Sequence, residues 1–365
     1  MTAWPRNAQL QNHMLPVDIV LAPSWWHKNA GLTFDRDFFF HPAKRVESER
    51  VMEQVLYEKW GQYGFGEHRD EDRPEVGPVH LAAGYIVQEM LGCQVDYIED
   101  QPPQVIAANR VDLVVDLDAA FESQVFKDFA ALMEALKTRY GYLCGDVNWT
   151  GILNAALDLR GQMLFIDMLD KPEEMRRYFE SIAAVIERFV NIVESETGTS
   201  SISVNRTVRH IKGPIFLHSE CSHTMISVKD YESLLMQADI TWMTRHRPFG
   251  IHFCGKDPHR FAEAFGRLPS LDFLDVGWGG RVKKLRDHLP TTFLNIRLSP
   301  VEIIDSSVGQ IQEIVTRLVH ESGNPWLTGV CCVNMDDKVT DDKIGAIFQT
   351  VQELRREYAA LPGAR

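Results

Sequence analysis

The sequence predicts an α/β protein folded as a closed (β/α)8, or TIM, barrel. Three observations carry that prediction. Short apolar runs alternate with helical stretches along most of the chain, as a parallel sheet covered by helices requires. About eight such strand–helix units fit, the number that closes a barrel. The chain has 365 residues, enough for one large barrel without a second domain.

Taken in order, the N-terminal extension (about 1–50) leads through the first strand, "PVDIVLAPS", to "FDRDFFFHP", too aromatic to be a free tail. Residues 64–80, "GFGEHRDEDRPEVGPVH", carry turn residues and charge and read as a surface loop or inserted lid. "YGYLCGDV" reads as a strand before "WTGILNAALDL" and a long helix around "KPEEMRRYFESIAAVIERFVNIVES". Met175, Tyr178, Phe179, Ile182, Val185, Ile186 and Phe189 fall at helical spacing there and form a packing face. "GPIFLHSE" is the next strand, followed by the helical "VKDYESLLMQADITWMTRHR". The last third is the clearest: "PFGIHFCG", "LDFLDVG", "TTFLNIRL" and "PWLTGVCCVN" each precede a helical stretch. No linker divides the chain, so residues 1–365 are expected to form a single barrel domain.

Composition narrows the function. A formal net charge of −13 and the lack of any basic run argue against a nucleic-acid partner. No signal-peptide pattern opens the chain, and no apolar stretch approaches the ~18–20 residues that span a bilayer. A cytoplasmic protein without a membrane partner is therefore expected. Six cysteines in a chain of this length do not suggest a disulfide framework, which leaves reduced thiols for packing or for metal. No G-x-G-x-x-G or G-x-x-x-x-G-K-S/T loop follows a strand, so a nucleotide-binding fingerprint is missing.

The chemistry centres on "FGIHFCGKDP". On a strand, alternate side chains share a face, so His252 and Cys254 project together while Phe253 faces away. Gly255 marks the strand end, where barrel active sites sit. An imidazole and a thiolate suit zinc, which takes three protein donors and one open position when catalytic. A third donor is available in "GVCCVN", where Cys331 and Cys332 point to opposite faces, one free to ligate and the other to pack.

"HFCGKDP", "GYLCGDVNWTGILNAALDLRG", "LDKPEEMRRYFE", "ISVKDYESLLM" and "TTFLNIRLSPVEII" together resemble the uroporphyrinogen decarboxylase-like superfamily from about residue 16 to the end. Within it, the chain is similar to the zinc-dependent methyltransferases of corrinoid systems, among them the methylcobalamin:coenzyme M methyltransferases and the first methyltransferases of O-demethylases. That resemblance implies zinc (Zn2+) held by His252, Cys254 and Cys331, with Cys332 as the fallback. It also implies a corrinoid (cobalamin) cofactor of anaerobic one-carbon metabolism. The chain has no D-x-H-x-x-G motif, which points to a separate corrinoid protein as carrier.

Departures from the family pattern shape the rest. Where the decarboxylases carry arginines for their polycarboxylate substrate, this chain has "LAPSWWHKNAGL". Trp25, Trp26 and His27 there are expected either to hold an apolar substrate or, for the tryptophans, to lie in the core. Asp275 is expected as a fourth ligand, as a carboxylate orienting His252, or as a turn residue. His218 and Glu220 share one face of "FLHSECSH", a stretch that also carries Cys221 and His223. They are expected to hold substrate or protonate a leaving group, or else to belong to an ordinary polar loop. Asp146 and Asn148 of "DVNWTG" are rim candidates of the same kind, for catalysis and substrate binding.

The expected reaction moves a methyl group between a small methylated substrate and corrinoid cobalt, with an aromatic methyl ether as the favoured donor (O-demethylation). The alternatives are a methylcobalamin:thiol methyltransferase and a decarboxylase of the uroporphyrinogen type.

Overall fold

A computed structural model describes residues 13–199 and 211–361. The first twelve residues of the expected N-terminal extension lie outside that range. Six parallel strands form one sheet: β1 (Val17–Leu21), β4 (Phe216–Glu220), β5 (Phe249–Phe253), β6 (Phe273–Val276), β7 (Phe293–Leu298) and β8 (Thr328–Met335). Their order is β1-β8-β7-β6-β5-β4, so the last strand lies beside the first. A separate antiparallel pair, β2 (Gln94–Asp96) and β3 (Gln104–Ile106), stands off this sheet.

The main strands form from buried runs in which an apolar face packs on the covering helices while the other face carries buried polar side chains. In β7, Leu294, Ile296 and Leu298 alternate with Asn295 and Arg297, and every residue of the strand is buried. The register carries one face around the curl: Ser219 pairs with His252, His252 with Asp275, and Asp275 with Asn295. Arg297 pairs with Cys331, and Cys331 with Asp18. Polar side chains therefore collect on the inner face, and apolar ones turn outward to the helices.

Among the described residues, the main sheet has six strands where eight were expected. "YGYLCGDV" makes only an isolated parallel bridge, Glu75 to Cys144. The Val76 amide donates to the Cys144 carbonyl at 3.0 Å, and the Cys144 amide to Pro74 at 3.1 Å. Pro74, Gly77 and Pro78 on one side and Gly141, Gly145 and Gly151 on the other explain this: neither residue type sustains a ladder.

Only the first part of 64–80 behaves as a surface loop. Residues 74–80 are buried, because Val76 and Val79 join the core while His80 reaches Glu53 at 2.8 Å. The long helix Pro172–Thr197 buries Met175, Tyr178, Phe179, Ile182, Val185, Ile186 and Phe189, the face expected from their spacing. No helix of the described residues is long and apolar enough to cross a membrane.

Candidate metal centre

β5 ends at Phe253, and its register sets His252 on the inner face beside Ser219 of β4. Two residues past Ser219, the chain leaves β4 and Cys221 returns to that same face. The result is a cluster of Cys221, His252 and Cys254 whose donor atoms all lie within 4.8 Å of one another. Ligands ~2.0–2.3 Å from a tetrahedral zinc stand roughly 3.5–3.8 Å apart, so the trio needs little closure to share an ion.

Each donor is prepared. His252 Nδ1 is 2.7 Å from Asp275 Oδ2, and Asn295 holds the other Asp275 oxygen at 2.6 Å. This arrangement leaves Nε2 for a metal, the usual orientation device of metal-binding histidines. Burial works against charge on His252, but Asp275 and Cys254 outweigh it and raise the imidazole to about 9. The Cys221 thiol, itself raised by this bond, donates to Cys254 and holds it well below the usual thiol range, with His252 and Arg297 adding to that effect. Arg297 Nη1 reaches the Cys254 sulfur at 2.8 Å, and its guanidinium lies over Trp278. Metal uptake at neutral pH must therefore displace protons from His252 and Cys221.

A cavity of about 280 Å³ opens onto the trio. Val105, Leu157 and Val333 give it apolar walls, while Asn148, Asp158 and Arg297 give it polar ones. Asn334, also on the wall, has φ +61°, a left-handed conformation that asparagine tolerates better than most residues.

Of the residues expected at this site, the structure brings together His252, Cys254, Asp275 and Asn148. Cys331 takes no part in the trio. Its side chain faces inward and is fully buried, but β6 and β7 stand between its strand and β5. Adjacent strands are ~4.8 Å apart, so the neighbour β4, and not β8, delivers a sulfur to His252 and Cys254. Cys332 faces the helices, with its thiol 3.6 Å from the Leu298 carbonyl.

His218 and Glu220 occupy the face of β4 opposite to Ser219, away from the trio. Glu220 accepts the amides of Leu153 (2.9 Å) and Asn154 (3.1 Å), which caps the helix Ile152–Arg160. His218 Nδ1 meets Asp239 at 2.7 Å. Both side chains are fully buried, and neither lines the cavity. Alternation along "HSEC" was the signal for Cys221: if His218 and Glu220 face the helices, Cys221 must face the site.

Trp25 and Trp26 lie in the helix Pro23–Ala30, buried in the core with their rings edge-on at 5.1 Å. His27 is exposed, its Nδ1 3.0 Å from the Leu32 carbonyl. None of the three lines the cavity. Asp146 is buried against Gly77 and does not line it either.

The sequence matches no protein-family profile and no curated protein. Solved structures do match. A methyltransferase from Methanosarcina mazei aligns over 97% of this chain and 95% of its own, at 11% identity and a TM-score of 0.64. A B12-independent methionine synthase from Shewanella sp. W3-18-1, solved in complex with selenomethionine, aligns over 99% and 100%, at 8% identity and a TM-score of 0.50. Such identities show fold alone: the chain is an α/β protein with a curled six-stranded parallel sheet, similar in architecture to these TIM-barrel-like proteins.

Proposed function

We propose that this chain is a zinc-dependent methyltransferase that moves a methyl group between a small substrate and the cobalt of a corrinoid held by a partner protein. The observation that carries the reading is the convergence of Cys221, His252 and Cys254 at the mouth of a cavity. Two sulfurs and an imidazole suit zinc, and the cavity supplies the open side that a catalytic site needs. The fold supports the reaction class, because one of the two structural neighbours is named a methyltransferase. The corrinoid partner rests on the sequence resemblance alone, since the second neighbour is by its title independent of B12.

Zinc held there would lower the pKa of a thiol at its open position, or draw charge from an ether oxygen as the methyl group leaves. The chain's own residues prepare that chemistry. Asp275 fixes the His252 ring, and Arg297 withdraws charge from Cys254. Val105, Leu157 and Val333 give the cavity apolar walls.

Two observations turn the reading from an aryl ether toward a thiol acceptor. The tryptophans that suggested an aromatic body are core residues. A donor set already carrying two thiolates is soft and favours a sulfur substrate. Ether demethylation remains the second reading, supported by the resemblance to O-demethylase methyltransferases.

Metal analysis of protein purified anaerobically tests the site. One zinc per chain is expected, lost in Cys221→Ser, His252→Ala and Cys254→Ser and retained in Cys331→Ser. Loss in Cys331→Ser with retention in Cys221→Ser would restore the ligand set implied by resemblance, and metal-free wild-type protein would overturn the reading. Methyl transfer is then followed by the cobalt absorption spectrum, with methylcobalamin and simple thiols, or reduced corrinoid protein and methyl ethers.

A further inference from the structure

We propose that Asp158 and Gln88 form a subsite for a protonated amine on the substrate, in the same cavity as the metal trio and one helical turn from Asn154, which braces the Cys221 turn; this rests on the reading above. Asp158 belongs to the helix Ile152–Arg160 and lines the cavity. Asn154, one turn earlier, bonds the Ser219 carbonyl at 3.2 Å and the Ser222 amide at 2.8 Å, the residues flanking the Cys221 turn. Four residues of helix rise ~6 Å, so a molecule with a short body spans both ends.

Two open hydrogen-bonding positions at this end are acceptors, while the unpartnered indole N–H of Trp149 belongs to a ring packed against Phe216 and Trp242. Gln88 Nε2 donates to Asp158 Oδ2 at 3.2 Å, which fixes the amide and leaves Gln88 Oε1 without a partner. Asn148 Oδ1, on the same wall, also lacks one. Both side chains are more than nine-tenths buried, at 3% and 4% exposure. No lysine, arginine or histidine among the described residues pairs with Asp158. Burial, with Glu220 nearby, lifts its carboxyl to about 6 against the pull of Gln88, so it is mostly ionised at neutral pH. Arg297 also lines the cavity and keeps an unpartnered Nε, but its guanidinium is placed at the metal end by Cys254 and Trp278.

An unpaired carboxylate flanked by unfilled acceptors calls for a group that brings both positive charge and N–H donors. An ammonium brings both. A hydroxyl brings a donor without the charge. A sulfonate or carboxylate tail would meet a like charge.

The test uses three thiols with one two-carbon body: 2-aminoethanethiol, 2-mercaptoethanol and 2-mercaptoethanesulfonate. Each is titrated into the cobalt(II)-substituted protein and read by the metal's absorption bands. The ammonium thiol is expected to bind at least about tenfold more tightly than the sulfonate, with the hydroxyl compound between them. Asp158→Asn, which keeps the Gln88 contact, should remove most of that difference. An equal or reversed order, or a preference unchanged by Asp158→Asn, overturns the proposal.

A protein that takes up no cobalt would refute the metal reading instead. The amine subsite is then decided by saturation-transfer NMR of metal-free protein with the S-methyl derivatives. The ammonium compound should show contact that Asp158→Asn abolishes, and its absence in wild type overturns the subsite independently of the metal.

Discussion

Arg297 Nη1 donates a hydrogen bond to the sulfur of Cys254 at 2.8 Å, joining the end of β7 to the candidate metal centre beyond β5. An opposite charge this close favours the thiolate, and a buried pair is little screened by salt. In metal-free Arg297→Met, the pH at which Cys254 becomes alkylated by iodoacetamide should rise by roughly one unit. Arg297→Lys should show a smaller rise. An unmoved profile would mean that the contact carries no charge coupling.

Asp275→Asn should weaken metal binding by ~10–100-fold while leaving the ligands in place, because the His252 ring loses the carboxylate that orients it. Competition against a chelator of known affinity measures this. Affinity equal to wild type would show that β5 alone fixes the imidazole.

Glu220→Gln tests whether that carboxylate caps a helix or serves catalysis. It receives two amides at the start of Ile152–Arg160, so the substitution should cost ~1–3 kcal/mol in urea unfolding. Metal stoichiometry should stay at one. Unchanged stability with lost methyl transfer would return Glu220 to the catalytic role expected from sequence.

His218 gives the fold a pH limit. Burial opposes its charge, but Asp239 and Glu220 outweigh burial and raise it to about 9, above the ordinary value of 6.5. The folded state thus holds a proton that the unfolded chain releases at lower pH. The associated stability is fully present below ~6.5 and is lost as pH rises through 9. Urea midpoints of wild type should therefore fall between pH 7 and 10, and Asp239→Asn should flatten that slope. Parallel slopes in the two proteins would contradict the assignment.

Much of this was legible along the chain. Strands β1 and β4 through β8 are apolar runs bounded by turn residues, so local pattern places them, and the closing contact of the last strand with the first follows from barrel logic. The long helix Pro172–Thr197 shows its buried face in its spacing. The H-x-C pair was readable because alternation on one strand is a local rule. Segments 74–80 and 141–151 were harder, since proline and glycine remove the ladder while burial keeps the chain inside.

By itself, the sequence determined the α/β alternation, the strand bearing His252 and Cys254, and the opposite facing of Cys331 and Cys332, each a matter of neighbours along one strand. Only the tertiary structure decided that Cys221 completes the trio, that Trp25 and Trp26 are core, and that Asp158 lines the cavity with no cation paired to it among the described residues. Those outcomes depend on which strand lies next to which and which face of it meets a helix, relationships set by packing across the sheet rather than by any local spacing.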